Sequence, residues 1–107
     1  MVPMATSITK PGCIECTLAI IGDKWTPLII RDLTVQGSSF GELEKSLVGI
    51  SPRTLSQRLD KLESKQIITK RLYCERPPRY HYVLTKKGSE LQAVLEQMAQ
   101  WGARYAK

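Results

Sequence analysis

Between residues 51 and 62 the chain reads Ser-Pro-Arg-Thr-Leu-Ser-Gln-Arg-Leu-Asp-Lys-Leu. Its polar members are of the types that pair with phosphates and with base edges. Arginine forks onto guanine, glutamine onto adenine, and serine or threonine hydroxyls reach either. Leu55, Leu59 and Leu62 recur at i, i+4 and i+7, one narrow apolar stripe of a helix. At about 100° per residue, Arg53, Ser56, Gln57, Asp60 and Lys61 point away from it, with Thr54 and Arg58 on its flanks. Ser51 is a good N-cap, because its hydroxyl can accept from an unpaired N–H of the first turn. Pro52 then stands where a missing N–H costs nothing. The expected roles follow from direction. Arg53, Thr54, Gln57 and Ser56 face base edges. Ser51 and Lys61 lie nearer phosphates, and Arg58 joins the core edge to the backbone.

A second set is Cys13-Ile14-Glu15-Cys16, a C-x-x-C. Cys13 and Cys16 stand near the start of a helix, whose free N–H groups stabilise a thiolate, although Glu15 works against this. Oxidation there could shift the spacing of two paired helices across a dimer. Cys13, Cys16, Cys74 and His81 would make a Cys₃His zinc set. However, Cys74 and His81 are not a short ligand knuckle, and nothing in the sequence brings them to the first helix. His81 alternates away from Tyr80 and Tyr82 and reads as a surface or interface histidine. No metal or cofactor is therefore expected. A thiol–disulfide or metal-binding module using Cys13 and Cys16 is the rival reading. The strand–helix setting of thioredoxin-type motifs is missing. Neither a Ser/His/Asp set nor a phosphate-binding glycine loop appears, so the expectation is no enzyme.

The chain has 107 residues and a net charge of +6, enough for one domain with a modest core. The charge is unevenly placed. Residues 51–87 hold ten cations against three anions, leaving +7, whereas residues 1–50 sum to −1. A polyanion suits such a segment, and the placement argues against a domain used only for protein contacts. The apolar runs are too short to span a bilayer, and no secretory signal opens the chain. A cytoplasmic location without membrane contact is expected. Three cysteines do not suggest a disulfide framework.

The elements that would position these residues can be read in order. Residues 1–12 read as a flexible arm. A helix follows over 13–22, with Gly22 at its end. Asp23 is placed to cap a helix over 24–36, with Trp25, Leu28, Ile29 and Leu33 inward. Gly37-Ser38-Ser39 breaks it, and Phe40 can anchor a very short strand or a turn. Residues 41–47 form a short helix with Leu43 and Leu47 inward. Val48-Gly49-Ile50 then leads into the polar helix. Two short helices joined by such a turn are a helix-turn-helix, whose second helix enters the groove. Residues 67–73 and 79–84 alternate as strands. Cys74-Glu75-Arg76-Pro77-Pro78 should interrupt the ladder, since both prolines lack a donor. The result is a hairpin with a basic tip, able to lay Arg76 and Arg79 along a phosphate backbone or into a minor groove. Thr85 caps a last helix over 86–105, whose start Gly88 weakens. Leu91, Leu95, Met98 and Trp101 on that helix offer an apolar stripe to a second copy, and a two-fold dimer presents two helices to two half-sites. The fold class expected is mainly α with a small β-hairpin: a winged helix-turn-helix over 13–107 with N- and C-terminal dimerisation helices.

Several segments resemble one family. They are Ile21-Gly22-Asp23-Lys24-Trp25-Thr26, Phe40-Gly41-Glu42-Leu43, residues 49–59 from Gly49 to Leu59, Pro77-Pro78-Arg79-Tyr80-His81-Tyr82-Val83-Leu84-Thr85, and Gly88. Together they are similar to the HxlR-type winged-helix regulators, relatives of the MarR group. The resemblance spans residues 13 to 102. It implies a homodimeric bacterial or archaeal transcription regulator bound to a double-stranded, pseudo-palindromic DNA operator. Two departures stand out. Asp23 replaces the second glycine of a Gly-Gly-Lys-Trp pattern, and only a local capping change is expected from it. The family's sensing cysteine falls in register on Gly12, one position before Cys13.

Overall fold

Leucine and isoleucine spacing decides where the helices lie, and capping side chains decide where they begin. The structure is a computed structural model that describes residues 11–106, with side chains from residue 14. Its elements are α1 (Pro11–Ile21), α2 (Trp25–Val35), α3 (Phe40–Ser46), α4 (Pro52–Ser64), β1 (Ile68–Glu75), β2 (Pro78–Leu84) and α5 (Lys86–Tyr105). The expected arm, residues 1–12, lies outside the described residues up to position 10. Pro11 and Gly12 belong to the first turn of α1, where a proline needs no N–H partner.

Ile29, Ile30 and Leu33 of α2, Leu43 of α3, Leu55, Leu59 and Leu62 of α4, and Ile67 with Ile68 are all buried together. Trp25, Leu28, Phe40, Tyr82, Leu84, Leu91 and Leu95 close over this core. Thus α2 is wrapped on several sides, which explains why Ile30 is buried as deeply as its predicted neighbour Ile29.

Each helix start has its own device. Asp23 Oδ1 accepts the N–H groups of Trp25 and Thr26, both at 2.9 Å. Ser39 and Glu42 form a capping box on α3: the Ser39 hydroxyl accepts from Glu42 N, and Glu42 Oε1 accepts from Ser39 N at 2.9 Å. Ser51 accepts from Thr54 N at 3.0 Å, with Pro52 opening α4. Gly49, at φ 95°, makes the turn between α3 and α4 that a side chain would strain. At the far end of α4, Gln66 takes φ 62°. Ile67 N–H then donates to Leu62 O at 2.9 Å and Gln66 N–H to Glu63 O at 3.0 Å, the paired bonds of a Schellman ending.

The hairpin departs from expectation in two places. Its ladder does not stop at Cys74. Cys74 pairs with Arg79 and Glu75 with Pro78, after a bulge between Leu72 and Cys74. Pro78 is tolerated because it stands at the terminal pair, where one missing donor leaves the rest of the ladder intact. The tip shrinks to Arg76 and Pro77, joined by a cis peptide bond. The expected anchor near Phe40 is also displaced. Ser38 makes the bridge, exchanging both backbone bonds with Tyr82 at 3.1 and 2.7 Å, while Phe40 already belongs to α3. Thr85 caps α5 by accepting from Gly88 N at 3.1 Å. Gly88 does more than weaken that helix, because a Cβ there would lie 2.2 Å from Ile67 O. The close seat of α5 on the start of the sheet therefore requires it.

Candidate nucleic-acid interface

The burial of Leu55, Leu59 and Leu62 fixes how α4 is turned about its axis. Arg53, Ser56, Gln57, Asp60 and Lys61 are consequently exposed, and Thr54 and Arg58 are half-buried at the flanks. The Ser51 hydroxyl, besides capping, donates to Thr54 Oγ1 at 2.9 Å. Arg53, Ser51, Ser56 and Thr54 therefore gather at the positive end of the helix dipole, with Gln57 one turn along.

Two of the expected phosphate contacts have partners inside the protein. Arg58 Nε donates to Asp23 Oδ1 at 3.2 Å, an ion pair spanning 35 residues of sequence. The Lys61 ammonium donates to the Ala19 carbonyl in the last turn of α1. Both side chains therefore tie α4 to α1 and to the α1–α2 connection. Asp23 is more than the local cap expected at this departure from the glycine pattern. Burial raises the proton affinity of its carboxyl. The Thr26 hydroxyl, the Thr26 and Trp25 N–H groups and Arg58 outweigh that and hold its pKa below the ordinary value.

Arg76 and Arg79 are exposed on the hairpin, and so are Thr69, Lys70 and Arg71 on β1. The last two extend the basic surface beyond the residues picked from the sequence. The hairpin is braced against α3. His81 stacks on Tyr73, ring centroids 4.2 Å apart, and its Nε2 lies 3.7 Å from Glu42 Oε1. The Ser39 backbone N–H is the main cause that lowers the Glu42 pKa, with burial opposing and His81 adding a smaller share. The Ser-x-x-Glu spacing of this brace is visible in the sequence as a capping box; its role in holding the hairpin is not.

Cys16 is exposed on α1 and lines a groove with Thr17, Ile20, Leu91 and Val94. The side chain of Cys13 lies outside the described residues. Cys74 is half-buried, its Sγ 3.8 Å from the Arg76 carbonyl. Among the described residues, no three His, Cys, Asp or Glu side chains converge as a metal site would require. Along α5 the expected stripe divides. Leu91 and Leu95 pack on their own core. Met98 and Trp101 are 53% and 62% exposed, and Ile14 and Leu18 of α1 are exposed as well. Among the described residues no helix is long and apolar enough to cross a membrane.

Comparison with known proteins places this architecture. Residues 20–107 match the family model described as HxlR-like helix-turn-helix. The HTH-type transcriptional regulator YodB of Bacillus subtilis is 32% identical over 94 residues, covering 88% of this chain and 84% of YodB. The structure of its reduced form superposes with a TM-score of 0.80 at 31% identity, over 92% of this chain and 96% of that one. The redox regulator HypR in its reduced form gives a TM-score of 0.82 at 30% identity, over 88% and 93% of the two chains.

Proposed function

The chain belongs to the HxlR-like helix-turn-helix family and is a transcription regulator of that type; we propose that it acts as a cytoplasmic homodimer on a pseudo-palindromic DNA operator. The observation that carries this reading is the exposed polar surface of α4, held over a fully buried leucine stripe. In it, Arg53, Thr54, Ser56 and Gln57 read base edges in the major groove, with Ser51 close to the backbone. Arg76 and Arg79 follow phosphates from the hairpin. Arg58 and Lys61, given their partners on Asp23 and Ala19, set the pitch of α4 as much as they neutralise phosphate. Met98, Trp101, Ile14 and Leu18 leave an apolar surface on α1 and α5 that a second copy would cover. Thiol chemistry at Cys13 or Cys16 then adjusts the separation of the two α4 helices. The exposure of Cys16 supports this part, as does the likeness to the redox regulator HypR.

Selection from a random duplex pool, followed by anisotropy titration, tests the reading. A two-fold-related consensus and affinity that falls steeply with salt are expected. Replacing Gln57 by Ala should relax the preference at one base pair by about 1–3 kcal/mol and weaken non-specific binding little. An equal loss on every sequence would remove Gln57 from direct readout. Absence of duplex binding at low salt would end the proposal.

A further inference from the structure

Arg58 is held at one corner of its guanidinium, by an anion that is seated without its help. Asp23 Oδ1 accepts the Trp25 and Thr26 N–H groups, both at 2.9 Å, and Oδ2 accepts the Thr26 hydroxyl at 2.6 Å. Thr26 is buried, so the carboxylate is fixed to the core at the start of α2. The chain leading to it is fixed as well. Gly22 N–H donates to Leu18 O at 2.7 Å, and a Cβ on Gly22 would collide with that carbonyl. The pKa of Asp23 stays below the ordinary value although burial raises it, so the anion persists at neutral pH.

Arg58 Nε donates to this carboxylate at 3.2 Å. A guanidinium carries five N–H donors in a planar fork, and among the described residues the Nη1 and Nη2 groups of Arg58 have no acceptor. None of its nitrogens is both buried and unpaired, so the Nη edge faces solvent. Ser51, Thr54, Arg58 and Lys61 stand at i, i+3, i+7 and i+10, along one flank of α4. Arg58 thus presents an unused donor edge on the flank of the helix whose exposed surface carries Arg53, Ser56 and Gln57.

We propose that Asp23 is a positioning residue for DNA binding: it holds Arg58 by the Nε corner and turns the Nη edge toward a phosphate beside the major groove. Carboxylate and phosphate share the guanidinium rather than compete for it, because they meet different edges of one planar group. The gain is pre-organisation. An unbraced arginine gives up rotamer freedom when it meets a phosphate, whereas here folding has already taken that loss. The inference rests on the DNA-binding reading. It concerns affinity common to all sequences, since a phosphate contact carries no base information.

The test is a double-mutant cycle on the full chain, with a duplex of mixed sequence titrated across salt. Asp23→Asn keeps a good N-cap and removes the charge that holds Arg58. It should weaken binding about fivefold at low salt, with the helical circular dichroism unchanged. Arg58→Ala should weaken binding about tenfold and flatten the salt slope by about one. On the Arg58→Ala background, Asp23→Asn should then cost less than about twofold. A second readout needs no variant: the Arg58 Nε–H resonance should persist in both free and duplex-bound protein. The inference is overturned if the two substitutions are additive in binding, because Asp23 would then act without Arg58. It is also overturned if Asp23→Asn tightens binding or if the Nε–H signal vanishes with duplex, since Asp23 would then compete with phosphate. Wild-type protein that binds no duplex at low salt ends the DNA-binding reading and this one with it; binding with an additive cycle ends only this one.

Discussion

Replacing Asp23 by Ala should destabilise the fold by about 2–4 kcal/mol, the largest single share, about half, through the Thr26 hydroxyl. The magnitude follows from three roles of one carboxylate. As a cap, Asp23 accepts two N–H groups at the start of α2, worth about 1 kcal/mol. Its Oδ2 accepts the Thr26 hydroxyl at 2.6 Å, and Thr26 is fully buried. Leaving that hydroxyl without an acceptor costs roughly 1–2 kcal/mol. The half-buried pair with Arg58 adds under ~1 kcal/mol. Urea unfolding followed by tryptophan fluorescence reads the loss as a fall in midpoint of about 1–3 M. Wild type and variant should be compared at one protein concentration, because association would shift both midpoints. Thr26→Val gives the decisive control. It removes the buried hydroxyl, so Asp23→Ala on that background should cost only about half as much. The reasoning fails if the two substitutions are strictly additive, or if Asp23→Ala alone costs less than about 0.5 kcal/mol. The pH dependence has a fixed sign. The folded pKa of Asp23 lies below its ordinary 3.8, so its stabilisation is complete above that value and is lost as pH falls through the folded pKa. The midpoint difference between wild type and Asp23→Ala should therefore shrink on acidification below the ordinary aspartate value.

Other consequences are simpler. Met98→Lys or Trp101→Ala should turn a dimer into a monomer in sedimentation experiments while the helical circular dichroism persists; an unchanged dimer would move the interface elsewhere. Gln66→Gly should raise stability by up to about 1 kcal/mol, since φ 62° costs a side chain that much, and a loss would show that Gln66 makes compensating contacts. Gly88→Ala should cost more than about 2 kcal/mol, because its Cβ would meet the Ile67 carbonyl; near-wild-type unfolding would mean that α5 can slide. Alkylation of Cys16 in native protein should be fast and should change operator affinity, and a modified protein binding DNA as before would remove that thiol from regulation.

The helices were legible because their signals are local. Ser51, Pro52 and the leucine triplet describe α4 from its cap to its core side, and Thr85 marks the start of α5. The hairpin was legible in its alternation but not in its tip. Pairing of Glu75 with Pro78 depends on where the ladder ends, which propensity alone does not reveal. The capping box of Ser39 and Glu42 is present in the sequence as a spacing, but Gly37-Ser38-Ser39 carries the stronger local signal of a helix break, and the same serine serves both ends. Gly88 likewise reads as a weak helix residue until Ile67 is seen above it.

By itself, the sequence determined which residues could seal a core, where cations concentrate and which side of α4 faces outward. Each of these depends on neighbours within a few turns. Only the tertiary structure decided what the outward and flanking side chains have left to offer. Periodicity directs Lys61 toward phosphates and Arg58 between the core edge and the backbone, yet their partners Asp23 and Ala19 lie 35 and 42 residues away. Lys70 and Arg79 meet Phe40 and the tyrosines only because the hairpin folds against α3. A charge is free or engaged according to what chain closure brings beside it, and periodicity carries no record of such distant pairings.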